Sequence, residues 1–470
     1  MFTRHKKEIF IIFSLIAAYF FTRLINLTIL PIFTDEAIYL RWSQIMAYDA
    51  SLRFLPLTDG KPPLFFWLMM IAIKVLRNFD ILFAGRLTSV LCGLLGLSGV
   101  AFTAWILFKN KKISALASIF YILSPFSFVY DRMAMADSLL TGLYIWAMGL
   151  SILLVKTARL DISLILGAVM GFGLLTKSPA IFALILFPVL IILRPKNILK
   201  VALLFILSFG IAEMFFSILR LFPLFNMISS KNAEFTIGLS EFLKQPFGLL
   251  VGNLKSLLYW EYFYLTIPIT LLFFYALYKG LRKNFIETLI LASYFLIPVI
   301  AIASFNKVIY ARYLLMFTMP ILILAAYGLS KLKSIFYLPV FSVAVFTIVM
   351  LVTNPVRAPF LQADRDQYID GWAAGNGIVE IRDFLKNKSG VLATEGTFGL
   401  MPFSLELYQN EYPNMQIKSY WPLPEKLPAN TDYLIIYQHP DYPKNYKLEE
   451  LLRFKQGNSN DYLRLYRVLK

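Results

Sequence analysis

The sequence predicts a polytopic α-helical membrane protein that ends in a small α/β domain, and three observations carry that reading. Of the 470 residues, 59% are hydrophobic and only 16% charged, with a mean hydropathy of +0.67; soluble domains carry about 25% charge. Many apolar runs reach the roughly 20 residues that cross a bilayer. The net charge of +17 is unevenly placed: residues 355–470 hold 14 basic and 14 acidic residues, so the whole excess falls on residues 1–354. A soluble globular enzyme, a disordered chain and a disulfide-rich secreted domain are excluded. Cationic loops on one side of a membrane explain the excess, and no basic cluster of the kind that binds nucleic acid is seen.

Eleven spans are expected, at about 9–30, 81–108, 113–130, 137–155, 161–176, 179–193, 198–221, 262–280, 285–304, 312–329 and 334–353. The first follows Arg4, Lys6 and Lys7 and is too long for a signal-peptide core. It reads as an uncleaved helix with its N-terminus in the cytoplasm. With that count, the connectors holding Lys109/Lys111/Lys112, Lys156/Arg159, Arg194/Lys196/Lys200, Lys279/Arg282/Lys283 and Lys331/Lys333 all fall on the cytoplasmic side, as the positive-inside rule asks. The run Pro62–Leu76 is left over. At about 15 residues it falls short of a span and reads as a re-entrant or interfacial helix on the outer side, opened by Pro-Pro as helix N-termini often are. A true span is the alternative.

Three segments then lie outside: 31–80, 222–261 and 355–470. The middle one mixes polar and apolar residues at helical spacing and suits the membrane surface. The last changes composition after Pro355. Its GIVEIRDFLKNK reads as an amphipathic helix, GVLATE as a strand and PFSLELY as a helix, while MQIKSYW, DYLIIYQ and YLRLYRVLK read as strands. The expected division is 1–354 for the membrane domain and 355–470 for an extracytoplasmic α/β domain.

The chemistry-bearing residues gather at the outer helix ends. Asp35 and Glu36 follow the first span in FTDEAIYLRWSQ, either as caps of a juxtamembrane helix or as a general base at the outer face. Lys61 sits in Asp59-Gly60-Lys61-Pro62-Pro63, either snorkelling or contacting an anion at a helix N-terminus. Arg132 and Asp137 lie in DRMAMADS, where an ion pair across a turn is the plain alternative. Lys177 ends LLTKSP, and Arg312 lies in NKVIYARY. These cations oppose the charge rule at their junctions and together outline an outward-facing positive pocket with carboxylates, suited to an anionic lipid head group. Cys92 is the one cysteine, and His5 and His439 are the only histidines, so no Cys- or His-based metal cluster is available.

Taken in order, TDEAIY, GKPPLFFWL, AGRLTSVLCGLLG, DRMAMADSLL, GLLTKSPA and ARYLLMFTMP resemble the GT-C glycosyltransferases of the protein O-mannosyltransferase and lipid A aminoarabinose transferase type, close to glycosyltransferase family 39. The resemblance covers about residues 1–330; no motif covers the tail. It implies a polyprenyl-phosphate sugar as donor and inverting transfer outside the cytoplasm to a protein, lipid or glycan hydroxyl. It also implies Asp35 as base with Glu36 beside it, Asp137 near the site, and Lys61 on the donor phosphate with Arg312. Arg132 and Lys177 complete the candidate phosphate contacts. In the aminoarabinose branch an acidic residue linked to metal precedes the Lys-Pro-Pro lysine. Here that position is Gly60, with Asp59 adjacent, so no residue is assigned as a metal ligand and a divalent ion stays open as a cofactor. The residues themselves agree with this chemistry. One carboxylate deprotonates the acceptor, cations stabilise a phosphate leaving group, and no general acid or nucleotide loop is required. A transporter or flippase of a lipid-linked sugar is the competing reading; it favours internal repeats and broken helices near the midplane.

Overall fold

A computed structural model describes residues 6–437 and 446–469; His5 and His439 fall outside these. Helix α1 (Lys6–Leu24) opens the chain, followed by α2 (Thr34–Tyr48), α3 (Leu64–Val75), α4 (Ile81–Phe108), α5 (Lys111–Leu123), α6 (Pro125–Asp131), α7 (Asp137–Thr157) and α8 (Leu160–Thr176). Next come the short α9 (Phe182–Ile185), α10 (Ile198–Ser217), α11 (Met227–Phe235), α12 (Leu239–Lys244), α13 (Leu250–Lys283), α14 (Phe285–Phe305), α15 (Leu315–Ser330) and α16 (Tyr337–Thr353).

Among the described residues, seven helices are long and apolar enough to cross a membrane, or eight if the bent pair α5–α6 counts as one span. The chain is a multi-pass membrane protein. These eight fall on eight of the eleven expected spans. The other three are weaker. Helix α1 carries Lys6, Lys7, Glu8 and Arg23, α8 has 17 residues, and Ser178–Leu193 is mostly 3-10 helix around the single turn α9. The leftover run is α3, whose 12 residues extend about 18 Å where a hydrocarbon core is about 30 Å thick. Helix α13 joins the expected surface segment to the expected span at 262–280, with a kink at Thr266 (φ 66°) just before Pro268.

The chain forms two compact units. The first holds residues 1–25, 53–68 and 86–349; the second holds 26–52, 69–85 and 350–470. In the first, α15 is the inner helix: Leu315 to Leu329 are all buried, and it packs on α5, α7, α13 and α14. Helix α10, only 17% buried over its span, keeps an apolar face for lipid. It pairs with α8 because α8 presents Ser163, Gly167 and Gly171 at four-residue spacing. A Cβ at Gly167 would stand 2.7 Å from Ile211 Cβ, and one at Gly171 2.8 Å from Phe215 Cβ. Small residues let backbones approach in this way, and Ser163 Oγ donates across the seam to the Leu204 carbonyl at 2.6 Å.

The 60° bend between α5 and α6 frees backbone carbonyls, and a buried arginine meets them. Arg23 donates to Tyr121 O (3.2 Å), Ser127 Oγ (3.1 Å) and Ile122 O, and pairs with Asp131 at 3.4 Å. Asp131 also accepts from Tyr121 (3.1 Å) and Tyr19 (3.4 Å). Arg23 and Asp131 are both fully buried. A Cβ at Gly93 would strike Tyr19 and Asp131, so the glycine of GLLG admits this network.

In the second unit a five-stranded sheet has the order β2-β1-β3-β5-β4, with β1 (Gly390–Glu395), β2 (Met415–Tyr420), β3 (Tyr433–Ile436), β4 (Leu448–Lys455) and β5 (Tyr462–Val468). Strand β1 is parallel to β2 and β3, while β5 is antiparallel to β3 and β4. Helices α17 (Gln362–Arg365), α18 (Ile378–Leu385) and α19 (Leu400–Glu406) complete it. The two helices and four strands read from the tail are present. Strand β4 is the addition: LEELLRFK has a helical look, but pairing with β5 along seven registered residues decides it, as tertiary context overrides propensity.

Candidate active site

In the second unit, Asp35 and Glu36 are the second and third residues of α2. Glu36 is fully buried, and one carboxylate oxygen accepts the Phe33 backbone N–H at 3.0 Å, the reach-back of a capping box. Thr34 fixes the helix start: its N–H and its hydroxyl each donate to the Ala373 carbonyl at 3.0 Å. Asp35 is half-buried between these two anchored neighbours. Of the two acids, Glu36 thus has the capping role and Asp35 sits on a fixed helix N-terminus.

The remaining candidates lie in the first unit, where a connected series of contacts draws most of them together. Lys61 and Lys231 both pair with Asp59, Lys231 at 3.1 Å. Lys231 also meets Glu234 at 2.9 Å. The next residue, Asn232, donates to Ser178 Oγ at 3.1 Å. Adjacent Lys177 pairs with Asp137 at 2.8 Å and stands 5.6 Å from the centre of the Tyr313 ring. Arg312, next to Tyr313, stacks on Tyr310 at 4.4 Å. The end of α11 is tied to the loop before Arg312: Ile237 N–H donates to Phe305 O, and Lys307 N–H to Phe235 O, both at 2.8 Å. Burial alone would raise the Asp59 pKa, but the ammoniums of Lys61 and Lys231 hold it below the usual carboxylate value. The Asp59 carboxylate is therefore held in its charged form, and the clamp weakens as acid protonates it.

Lys231 is the residue missed from sequence. It lies in 222–261, read only as a surface segment, and its signal was the one that marked Lys177, a cation in a stretch expected to lie outside, where the charge rule expects few. Arg132 lies against the end of α1. Its guanidinium is buried and donates to the carbonyls of Thr22 (3.3 Å), Arg23 (3.0 Å) and Ile25 (2.7 Å), capping the end of α1 as basic residues do. Asp137 has Lys177 as its partner. Helix α7 begins at Asp137 and carries Lys156 in its last turn, so its 21 residues put about 32 Å between the cluster and that cytoplasmic-type connector.

Gly60 explains the departure from the acid-Lys-Pro-Pro pattern. Its φ is +63°, and a Cβ would stand 2.5 Å from Met227 O and 2.6 Å from Lys231 Cβ. A side chain at 60 is incompatible with α11 in place. Asp59, held by two ammoniums, is a poor ligand for a divalent cation, and among the described residues no three His, Cys, Asp or Glu side chains gather. The residues present do not fit a metal, and no step is routed through one. Gly60→Ala is expected to cost about 2–4 kcal/mol, from left-handed strain and overpacking together, seen as a lower thermal unfolding midpoint in detergent. An unchanged midpoint would show that α11 does not pack on Gly60.

The fold is that of the GT-C glycosyltransferases. Residues 60–219, which include Lys61, Arg132, Asp137 and Lys177, match the family described as dolichyl-phosphate-mannose-protein mannosyltransferase. ArnT from Cupriavidus metallidurans is similar in structure in both its apo state (14% identity, 99% of this chain and 98% of that chain, TM-score 0.59) and its undecaprenyl phosphate complex (12%, 98% and 98%, TM-score 0.58). So is the oligosaccharyltransferase AglB from Archaeoglobus fulgidus, in complex with an inhibitory peptide and a dolichol-phosphate (10%, 90% and 69%, TM-score 0.51). No curated protein matches the chain.

Proposed function

We propose that this protein is a membrane glycosyltransferase that takes a sugar from a polyprenyl-phosphate donor and transfers it, with inversion, to an extracytoplasmic hydroxyl. The observation that carries the reading is the cation cluster: Lys61 and Lys177, both within the family match, are drawn with Lys231 and Arg312 into one contact series oriented by carboxylates. Structural neighbours that hold undecaprenyl phosphate or dolichol-phosphate support a lipid-linked donor. In this reading residues 1–354 form the membrane domain, with the N-terminus in the cytoplasm, and 355–470 an extracytoplasmic domain.

Each group has one task. Asp35 removes the proton from the acceptor hydroxyl as it attacks the anomeric carbon. Glu36 holds the backbone that carries Asp35. Lys61, Lys231, Lys177 and Arg312 receive the phosphate as its bond to the sugar breaks. Charge-assisted hydrogen bonds make ammonium and guanidinium groups suited to that anion, and their stabilisation grows as charge develops. An ammonium has three donors; Lys177 uses one on Asp137, which aims the others. Arg132 acts by holding the end of α1.

The test is transfer by the purified protein from a panel of polyprenyl-phosphate sugars. At least one donor should be consumed in an acceptor-dependent reaction, and Lys61→Ala and Arg312→Ala should each raise the donor concentration needed for half-maximal rate by about tenfold. Wild-type donor dependence in both variants would place the phosphate elsewhere.

A further inference from the structure

Two loops of the second unit converge on Thr34, the residue before Asp35, and each carries a half-exposed aromatic ring. The first is 371–375, whose Ala373 carbonyl accepts both Thr34 hydrogen bonds; it presents Trp372, 49% exposed. The second is 396–399, which follows β1. Gly399 has φ +95°, and a Cβ there would stand 2.9 Å from Thr34 Cγ2. This loop presents Phe398, also 49% exposed. Neither ring is loose. Trp372 lies 6.3 Å from the Tyr437 ring, and Phe398 lies 5.8 Å from Trp42 and 5.5 Å from Phe403.

Single exposed apolar side chains need no explanation. Two aromatic rings, on loops that both meet the residue preceding a half-buried carboxylate, do. Part of the backbone of the first loop is already committed within the protein. Ala373 O is taken by Thr34, Gly375 N–H donates to Ile32 O at 2.8 Å, and Ala374 N–H donates to Gly371 O at 3.0 Å. An extended peptide binds chiefly through main-chain hydrogen bonds to a free edge, which this loop does not provide. Flat aromatic faces are what it provides. The negative ring face attracts the polarised C–H groups that cluster on one side of a pyranose.

We propose that Trp372 and Phe398 form an acceptor subsite that stacks on a pyranose ring, so that the hydroxyl presented to Asp35 belongs to a glycan or glycolipid and not to a protein side chain. The proposal rests on the reading of Asp35 as the base. The rings position the acceptor and take no part in bond making.

Saturation-transfer NMR on the full chain in detergent tests it, with methyl pyranosides as probes and a blocked Ser/Thr-containing peptide for comparison. Ring C–H protons of a pyranoside should receive saturation from wild type and from Asp35→Asn, lose it in Trp372→Ala and Phe398→Ala, and regain it in Trp372→Phe. In transfer assays with a glycan acceptor, the two alanine variants should raise the acceptor KM by about five- to tenfold, leaving kcat and donor KM unchanged. Equal saturation in wild type and Trp372→Ala, or saturation of the peptide alone, overturns the proposal. Failure of the Asp35 reading shows separately, as full transfer by Asp35→Asn.

Discussion

Asp35→Asn is expected to lower sugar transfer at least about 100-fold, the lower end of what a positioned general base contributes. Asparagine keeps the size of the side chain and its suitability for a helix N-terminus, and the neighbours that fix the helix start, Thr34 on Ala373 and Glu36 on Phe33, are untouched. The unfolding midpoint should therefore stay at its wild-type value. The donor-phosphate contacts assigned above are all on other residues, so donor binding should also survive. Turnover of each active donor by purified variant and wild type decides the matter. Wild-type turnover would remove Asp35 from the mechanism and leave the cation cluster without a base.

Arg23→Met should have the largest effect on stability. Taking away one member of a buried pair costs about 3–5 kcal/mol, because the remaining charge is left uncompensated. Here the remaining charge is Asp131, fully buried, and the carbonyls of Tyr121 and Ile122 at the α5–α6 bend lose a donor as well. A large drop in the thermal unfolding midpoint in detergent is expected. Combining Arg23→Met with Asp131→Asn should recover part of it, since the amide that replaces the carboxylate is neutral and its oxygen still accepts from Tyr19 and Tyr121. Equal midpoints for wild type and Arg23→Met would mean that the pair contributes nothing.

Much of this architecture was legible in the chain because apolar length and charge placement are local signals. The spans at 81–108, 137–155 and 285–304 each became one helix. What stayed hidden depends on partners distant in sequence. Arg23 stood inside an expected span, where an ionisable residue marks a function or a structural tie, but its carbonyl and carboxylate partners lie about a hundred residues on. The bend at Ser124 had a signal in Pro125, which suits a helix start, yet hydropathy runs through it without a break. Lys61 and Lys177 were readable from their motifs. Lys231 had no motif, and only the approach of α11 to Gly60 brings it to Asp59 beside Lys61.

The start of α2 leans on residues far behind it in synthesis. Thr34 and Ala373 are separated by 339 positions, and at about 5–20 residues per second a ribosome needs roughly 20–70 s to cover that distance. During that interval the segment bearing Asp35 has left the ribosome without the loop that pins it. The first unit has long-range pairings of its own, α15 on α5 and α7 among them, while α8 and α10 meet soon after they are made. If Asp35 is the base proposed above, its helix start gains this anchor only once the ribosome has passed Ala373, and a chain ended before that loop is expected to insert its helices yet transfer no sugar.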